Sequence, residues 1–176
     1  MRLFISINIP GAIRNEIAER LLQKIPKADY SVVGRDKLHY TLCFIGEASE
    51  ERAKEIQKNI EEIKFAEFEV EISGIGCFGN RVVWLGAMKG ANEMSKLAII
   101  VTEKCEIKDN RFSPHLTLCR NMAAGKIEIE KLLEKLSKEE YSAKFLVSEF
   151  CLMESRLSPE GSAYRCISEI RLAGNK

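Results

Sequence analysis

One five-residue pattern occurs twice and limits what the chain can build. Residues 39–43 read His-Tyr-Thr-Leu-Cys and residues 115–119 read His-Leu-Thr-Leu-Cys. The chain of 176 residues has 2 histidines, and each opens one copy. The copies lie 115 − 39 = 76 residues apart, about half the chain. Both pentads are rich in β-branched and aromatic or aliphatic residues and read as strands. On a regular strand His39, Thr41 and Cys43 share one face against Tyr40, Leu42 and Phe44. His115, Thr117 and Cys119 oppose Leu116 and Leu118 in the same way. Along each strand His and Thr are roughly 6.6 Å apart. Two such pairs facing each other make a box of two imidazoles and two hydroxyls.

That box suits a phosphate. One neutral histidine can take a proton from a nucleophile, a charged one can protonate a leaving oxygen, and histidine alone populates both forms near neutrality. Threonine hydroxyls can donate to the non-bridging oxygens while β-branching stiffens χ1. The reaction class implied is in-line phosphodiester cleavage without a metal. A zinc site of His39, Cys43, His115 and Cys119 is the rival. Residues four apart on a strand span roughly 13 Å, whereas zinc needs ligands about 2.0–2.3 Å from one centre. The cysteines are therefore expected to pack beneath the site. A structural role for both histidines is the remaining alternative.

Around the pentads, apolar periodicity sets out the remaining elements. Residues 2–9 read as a central strand. A helix follows with Pro10 in its first turn and Ile13, Ile17, Leu21 and Ile25 as its stripe, ended by Pro26. Residues 30–33 are extended and 34–37 turn into the first motif strand, 38–45, which Gly46 stops. Ser49 caps a helix with Ala53, Ile56, Ile60 and Ile63 inward. Residues 65–75 and 81–87 form a hairpin carrying Trp84, which core packing or base stacking could employ. Asn92 caps a helix that buries Met94, Leu97, Ala98, Val101 and Cys105. A polar loop over 106–114 ends at Pro114, which holds Ser113 extended before the second motif strand. Ile129, Leu132, Leu133 and Leu136 mark a fourth helix. Strands over 144–153 and 164–172 flank a hairpin loop. Nothing resembling a linker divides the chain. Helices do not alternate strictly with single strands, so an α+β fold of largely antiparallel sheets is expected rather than a doubly wound one.

The formal net charge of +1 argues against a broad basic surface on duplex nucleic acid and leaves room for a small site taking one end. Six cysteines without a Cys-x-x-Cys read as reduced and mostly buried, in a cytoplasmic protein with neither signal peptide nor membrane span.

The motifs His39–Gly46 (His-Tyr-Thr-Leu-Cys-Phe-Ile-Gly) and Pro114–Arg120 (Pro-His-Leu-Thr-Leu-Cys-Arg) resemble the paired His-x-Thr motifs of the two-histidine phosphoesterases. Among these they are most similar to the RNA 2',3'-cyclic phosphodiesterases of the 2'-5' RNA ligase family. The opening Met1–Pro10, Lys37-Leu38, the 78–86 hairpin and the 155–164 loop extend the likeness over nearly the whole chain. The resemblance implies one domain, 1–176, of two pseudo-symmetric lobes, each a largely antiparallel sheet with helices outside and the cleft between them. It implies hydrolysis of terminal RNA 2',3'-cyclic phosphates to 2'-phosphates, with no cofactor and no metal. His39 would be the proton donor and His115 the acceptor, with Thr41 and Thr117 on the phosphate. Arg120, Arg156 and Tyr164 are further candidate substrate contacts, although strand parity sets Arg120 on the face opposite His115. Arg35 and Lys37 precede the first motif as candidate phosphate contacts or plain turn charges. The expected partner is an RNA end with a cyclic phosphate, tRNA fragments among them, bound by a monomer away from membranes. The same site run backwards would join RNA ends in a 2'-5' linkage. A module that binds RNA ends or nucleotides without turnover is the non-enzymatic alternative.

Overall fold

The computed structural model describes residues 1–108, 111–122, 129–158 and 161–174. Two positions of the 106–114 loop and two of the final hairpin turn, 159–160, lie outside them.

The hydrophobic runs become strands β1 (Arg2–Asn8), β2 (Tyr30–Val32), β3 (His39–Glu47), β4 (Phe68–Phe78), β5 (Val82–Lys89), β6 (Leu116–Asn121), β7 (Ser142–Val147), β8 (Glu149–Ser158) and β9 (Gly161–Arg171). The amphipathic runs become α1 (Gly11–Arg20), α2 (Glu50–Glu61), α3 (Ala91–Lys104) and α4 (Ile129–Ser137). Among the described residues the strands pair antiparallel in the order β7-β4-β5-β6-β3-β1-β8-β9, with β2 against β6. The molecule is α+β, as expected. Its two halves are β3-β1-β8-β9 and β6-β5-β4-β7, each with one motif strand at the centre of the sheet.

The halves meet at a single ladder position, Tyr40 opposite Leu116. Both side chains are fully buried, and the Tyr40 hydroxyl crosses to donate to the Gly86 carbonyl oxygen at 3.0 Å. The sheet thus stays continuous while the motif strands part on either side of the joint. Helices cover the core face. Ile56 and Ile60 of α2, and Met94, Leu97, Ala98 and Val101 of α3, have no exposed surface.

Local chemistry explains the element boundaries. Ser49 Oγ accepts from Arg52 N at 3.2 Å, the N-cap read from the sequence. Pro10 occupies the cap position of α1 rather than its first turn. That helix stops at Arg20 and passes through a 3-10 turn, Leu22–Lys24, before Pro26. The third helix starts earlier than Asn92. Gly90, at φ +81°, leads into it, and a Cβ there would lie 2.5 Å from the Glu69 carbonyl oxygen, so only glycine fits. Gly46 (φ +84°) does not end its strand, because β3 continues to Glu47. The strand expected over 144–153 is two strands broken at Ser148. β7 pairs with β4 in one half and β8 with β1 in the other. The last hairpin is also longer than expected, its strands reaching Ser158 and Gly161. No helix among the described residues is long and apolar enough to cross a membrane.

Candidate active site

The joint between the halves positions the site. Tyr40 and Leu116 point into the core, so their neighbours in sequence point the other way, into a cleft. The antiparallel register sets His39 across from Thr117 and Thr41 across from His115. All four line one cleft of about 560 Å³, within the ordinary range for a small-molecule site. The two pentads therefore come together.

Both motif strands carry the same irregularity. Between Thr41 and Cys43 the pairing of β3 with β1 skips Leu42. Between Thr117 and Cys119 the pairing of β6 with β5 skips Leu118. Each is a β-bulge, which reverses the facing of the residues that directly follow it. The assignment of Cys43 and Cys119 to the histidine face is accordingly corrected. Both cysteines turn to the core, 3% and 0% exposed, beside Leu42 and Leu118. A zinc site built from the two pentads is excluded by this placement. The same reversal carries Phe44 and Arg120 into the cleft lining, so the parity argument against Arg120 is overturned.

The two imidazoles are held alike. His39 Nδ1 lies 2.6 Å from the Lys37 carbonyl oxygen and His115 Nδ1 lies 2.7 Å from that of Ser113. A carbonyl only accepts, so Nδ1 carries the proton in both rings and Nε2 is left for chemistry. Their surroundings differ. His39 packs against Phe4 (centroids 5.1 Å) and edge-on to Tyr164 (5.6 Å). Its Nε2 lies 3.0 Å from Thr41 Oγ. Burial holds its pKa below the ordinary 6.5, a nearby charge on His115 acts in the same direction, and the Lys37 carbonyl partly opposes them. In the resting protein His39 is therefore neutral, with Nε2 accepting from the Thr41 hydroxyl. His115 is covered on one side by the edge of Phe78 (4.8 Å), which in turn packs on Trp84 (5.3 Å). Trp84 is half-buried against Gly76, where a Cβ would come within 2.4 Å of the indole.

Among the described residues the cleft lining includes Arg2, Lys37 and Arg120 and no carboxylate. A positive cleft on a nearly neutral molecule fits a small anionic ligand. Tyr164 lines the cleft and is 37% exposed. Arg156 does not line it. Its Nε lies 3.1 Å from the buried Glu154 carboxylate, which also binds Arg165 (Nη2, 2.9 Å), so Arg156 takes part in an ion pair of the hairpin rather than in the cleft lining. Arg35 pairs with Asp36 at the surface, whereas Lys37 reaches the cleft. Arg2, Phe44, Ser155 and Ser162 also line the cleft and were not singled out from the sequence. Phe44 could have been found only by anticipating the bulge.

The profile of the 2'-5' RNA ligase superfamily matches residues 9–158. The chain belongs to the 2'-5' RNA ligase superfamily. Its relatives in that superfamily include the RNA 2',3'-cyclic phosphodiesterase of Archaeoglobus fulgidus, 32% identical, the match covering 94% of this chain and 97% of that one. The RNA 2',3'-cyclic phosphodiesterase of Aquifex aeolicus is 32% identical over 91% and 92% of the two chains. The crystal structure of Escherichia coli LigT complexed with 3'-AMP superposes with a TM-score of 0.79 at 26% identity, covering 97% of each chain. The likeness to LigT thus extends over nearly all of both chains, with both motif strands at the centre of the sheet here.

Proposed function

We propose that this protein is an RNA 2',3'-cyclic phosphodiesterase that opens terminal cyclic phosphates to 2'-phosphomonoesters with its two histidines and without a metal. The observation that carries this reading is the pair of Nδ1-anchored imidazoles facing one cleft, each with a threonine hydroxyl beside it. The names of the superfamily relatives support the substrate class, and the 3'-AMP held by LigT supports a nucleotide-sized occupant.

In this mechanism the cyclic phosphate sits between the motif strands, with Thr41 and Thr117 donating to its non-bridging oxygens. His115 Nε2 takes a proton from water as the oxygen attacks phosphorus. The bond from phosphorus to the ribose 3'-oxygen breaks, and His39 Nε2–H protonates that oxygen. One water is consumed, the products are a 2'-phosphate and a 3'-hydroxyl, and the histidines regain their starting protonation by exchange with solvent. His39 must be charged to act as the acid. The phosphate anion supplies what burial withholds, raising the His39 pKa once substrate is bound. Arg120, Lys37 and Arg2 provide further positive charge for the ester and the adjoining nucleotide, and Tyr164 is a wall that the terminal nucleoside can lie against.

The test is an oligoribonucleotide ending in a 2',3'-cyclic phosphate, incubated with protein in excess chelator. The expected product is the 2'-phosphate, with a bell-shaped pH–rate profile. His39→Ala and His115→Ala should each lose roughly 10²–10⁴-fold in rate. Full turnover by either variant, a 3'-phosphate product, or activity abolished by chelator sinks the proposal. Binding of the end with no turnover at all favours the non-catalytic alternative.

A further inference from the structure

Two thiols and a carboxylate converge at a place the proposed reaction does not use. Cys151 of β8 lies opposite Glu169 of β9. A register shift between Leu152 and Met153 then brings Cys166 opposite Met153, on the same side as Cys151. Without that shift Cys166 would face away. The two sulfurs and a Glu169 carboxylate oxygen all lie within 4.8 Å of one another. Cys151 is buried, while Cys166 and Glu169 are open to solvent.

The surroundings suit a cation. Asn8 Nδ2 donates to Cys151 Sγ at 3.2 Å and is itself fixed by Ser6 Oγ, which donates to Asn8 Oδ1 at 3.2 Å. An N–H bond to sulfur is the kind of outer contact that orients and stabilises a metal thiolate. Burial first, then the neighbouring Cys166 and, last, Glu149 and Glu169 push the Cys151 thiol well up, and burial does the same more mildly at Cys166. Protonated thiols are poor nucleophiles, which disfavours a peroxide-sensing pair. A divalent cation would offset the same negative surroundings and displace both protons.

We propose that Cys151, Cys166 and Glu169 bind one thiophilic divalent cation of the zinc class. Two thiolates, one carboxylate oxygen and one water complete a tetrahedral shell, and two protons are released on binding. The ion clips β8 to β9 behind the wall of the active site, because Cys151 clusters with Met153 and Phe4, and Phe4 packs on His39. The clip is structural and independent of the hydrolytic reading. Chelator removes the ion and leaves the two-histidine box intact.

The protein, reduced and freed of metal, is titrated with Cd²⁺ while sulfur-to-cadmium charge-transfer absorption is followed. Zn²⁺ affinity is measured against a chromophoric chelator, and thermal melting is recorded with and without Zn²⁺. The expected result is one ion per chain with a two-thiolate signature and a melting temperature raised by Zn²⁺. Cys166→Ser should abolish both effects, and Glu169→Gln should weaken binding at least about tenfold. A Cys43→Ser/Cys105→Ser double variant is the control, since those two thiols also touch but have no third His, Cys, Asp or Glu ligand among the described residues; it should bind as the parent does. Absent binding, binding that survives Cys166→Ser, or a Cys151–Cys166 disulfide formed in air in place of metal uptake overturns the proposal.

Discussion

His39 and His115 open the same His-x-Thr-Leu-Cys pattern in different surroundings, and burial holds the His39 pKa below the ordinary imidazole value. The sign of the His39 shift has a consequence for stability. Its folded-state pKa lies below the unfolded 6.5, so the unfolded chain binds more protons in the window below about 6.5. Stability from this residue is complete above that window and declines as pH falls through it. His39→Gln should flatten the decline, measured as the denaturant midpoint against pH. An unchanged slope would show that burial does not depress His39. With 2 histidines in the chain, NMR titration can follow each imidazole separately. His39 should titrate below the ordinary 6.5 in the free protein and move upward when a 2'-phosphate nucleotide binds.

At the scale of the element, the bulge decides more about the site than the repeated motif does. Leu42 and Leu118 each insert one residue, and that sends Cys43 and Cys119 into the core and Arg120 into the cleft. Arg120→Ala should therefore raise KM for a cyclic-phosphate oligonucleotide about tenfold, the scale of one charge-assisted hydrogen bond, with an unchanged melting temperature. A lowered melting temperature with unchanged KM would return Arg120 to a structural role. In β4, Gly76 makes room for Trp84, whose ring supports Phe78 against His115. Gly76→Ala should cost roughly 1–3 kcal/mol of stability by overpacking, and Trp84 fluorescence should shift with it. Wild-type melting with an unshifted emission would contradict that packing. Such features escape sequence reading for a definite reason. Periodicity reports which residues are apolar, and a bulge changes facing without changing composition. The β7–β8 break at Ser148 is invisible on the same ground, since apolar alternation runs on while the pairing partner changes.

For the whole molecule, the joint between halves is the point of economy. One ladder pair, Tyr40 with Leu116, holds the sheet continuous beside both histidines, and the Tyr40 hydroxyl ties β3 to β5 through the Gly86 carbonyl. Tyr40→Phe removes that tie and strands a buried carbonyl, which should cost about 1–3 kcal/mol in denaturant unfolding. Because Tyr40 is also the ladder partner of Leu116, each next in sequence to a motif histidine, kcat should fall as well. A variant with parental stability and rate would show that the lobes are held by packing alone.

The amino-acid sequence by itself determined most of the elements and the residues that gather at the candidate site. The apolar stripes of α2 and α3, the Ser49 cap, the central β1 and the two His-x-Thr pairs all follow from local periodicity and side-chain type, which act over a few residues. Tertiary structure decided which way the pentads' last residues face, which arginines reach the cleft, how deeply His39 is buried, and that β7 and β8 serve different halves. Those depend on strand partners far apart in the chain and on burial, and no local pattern encodes either.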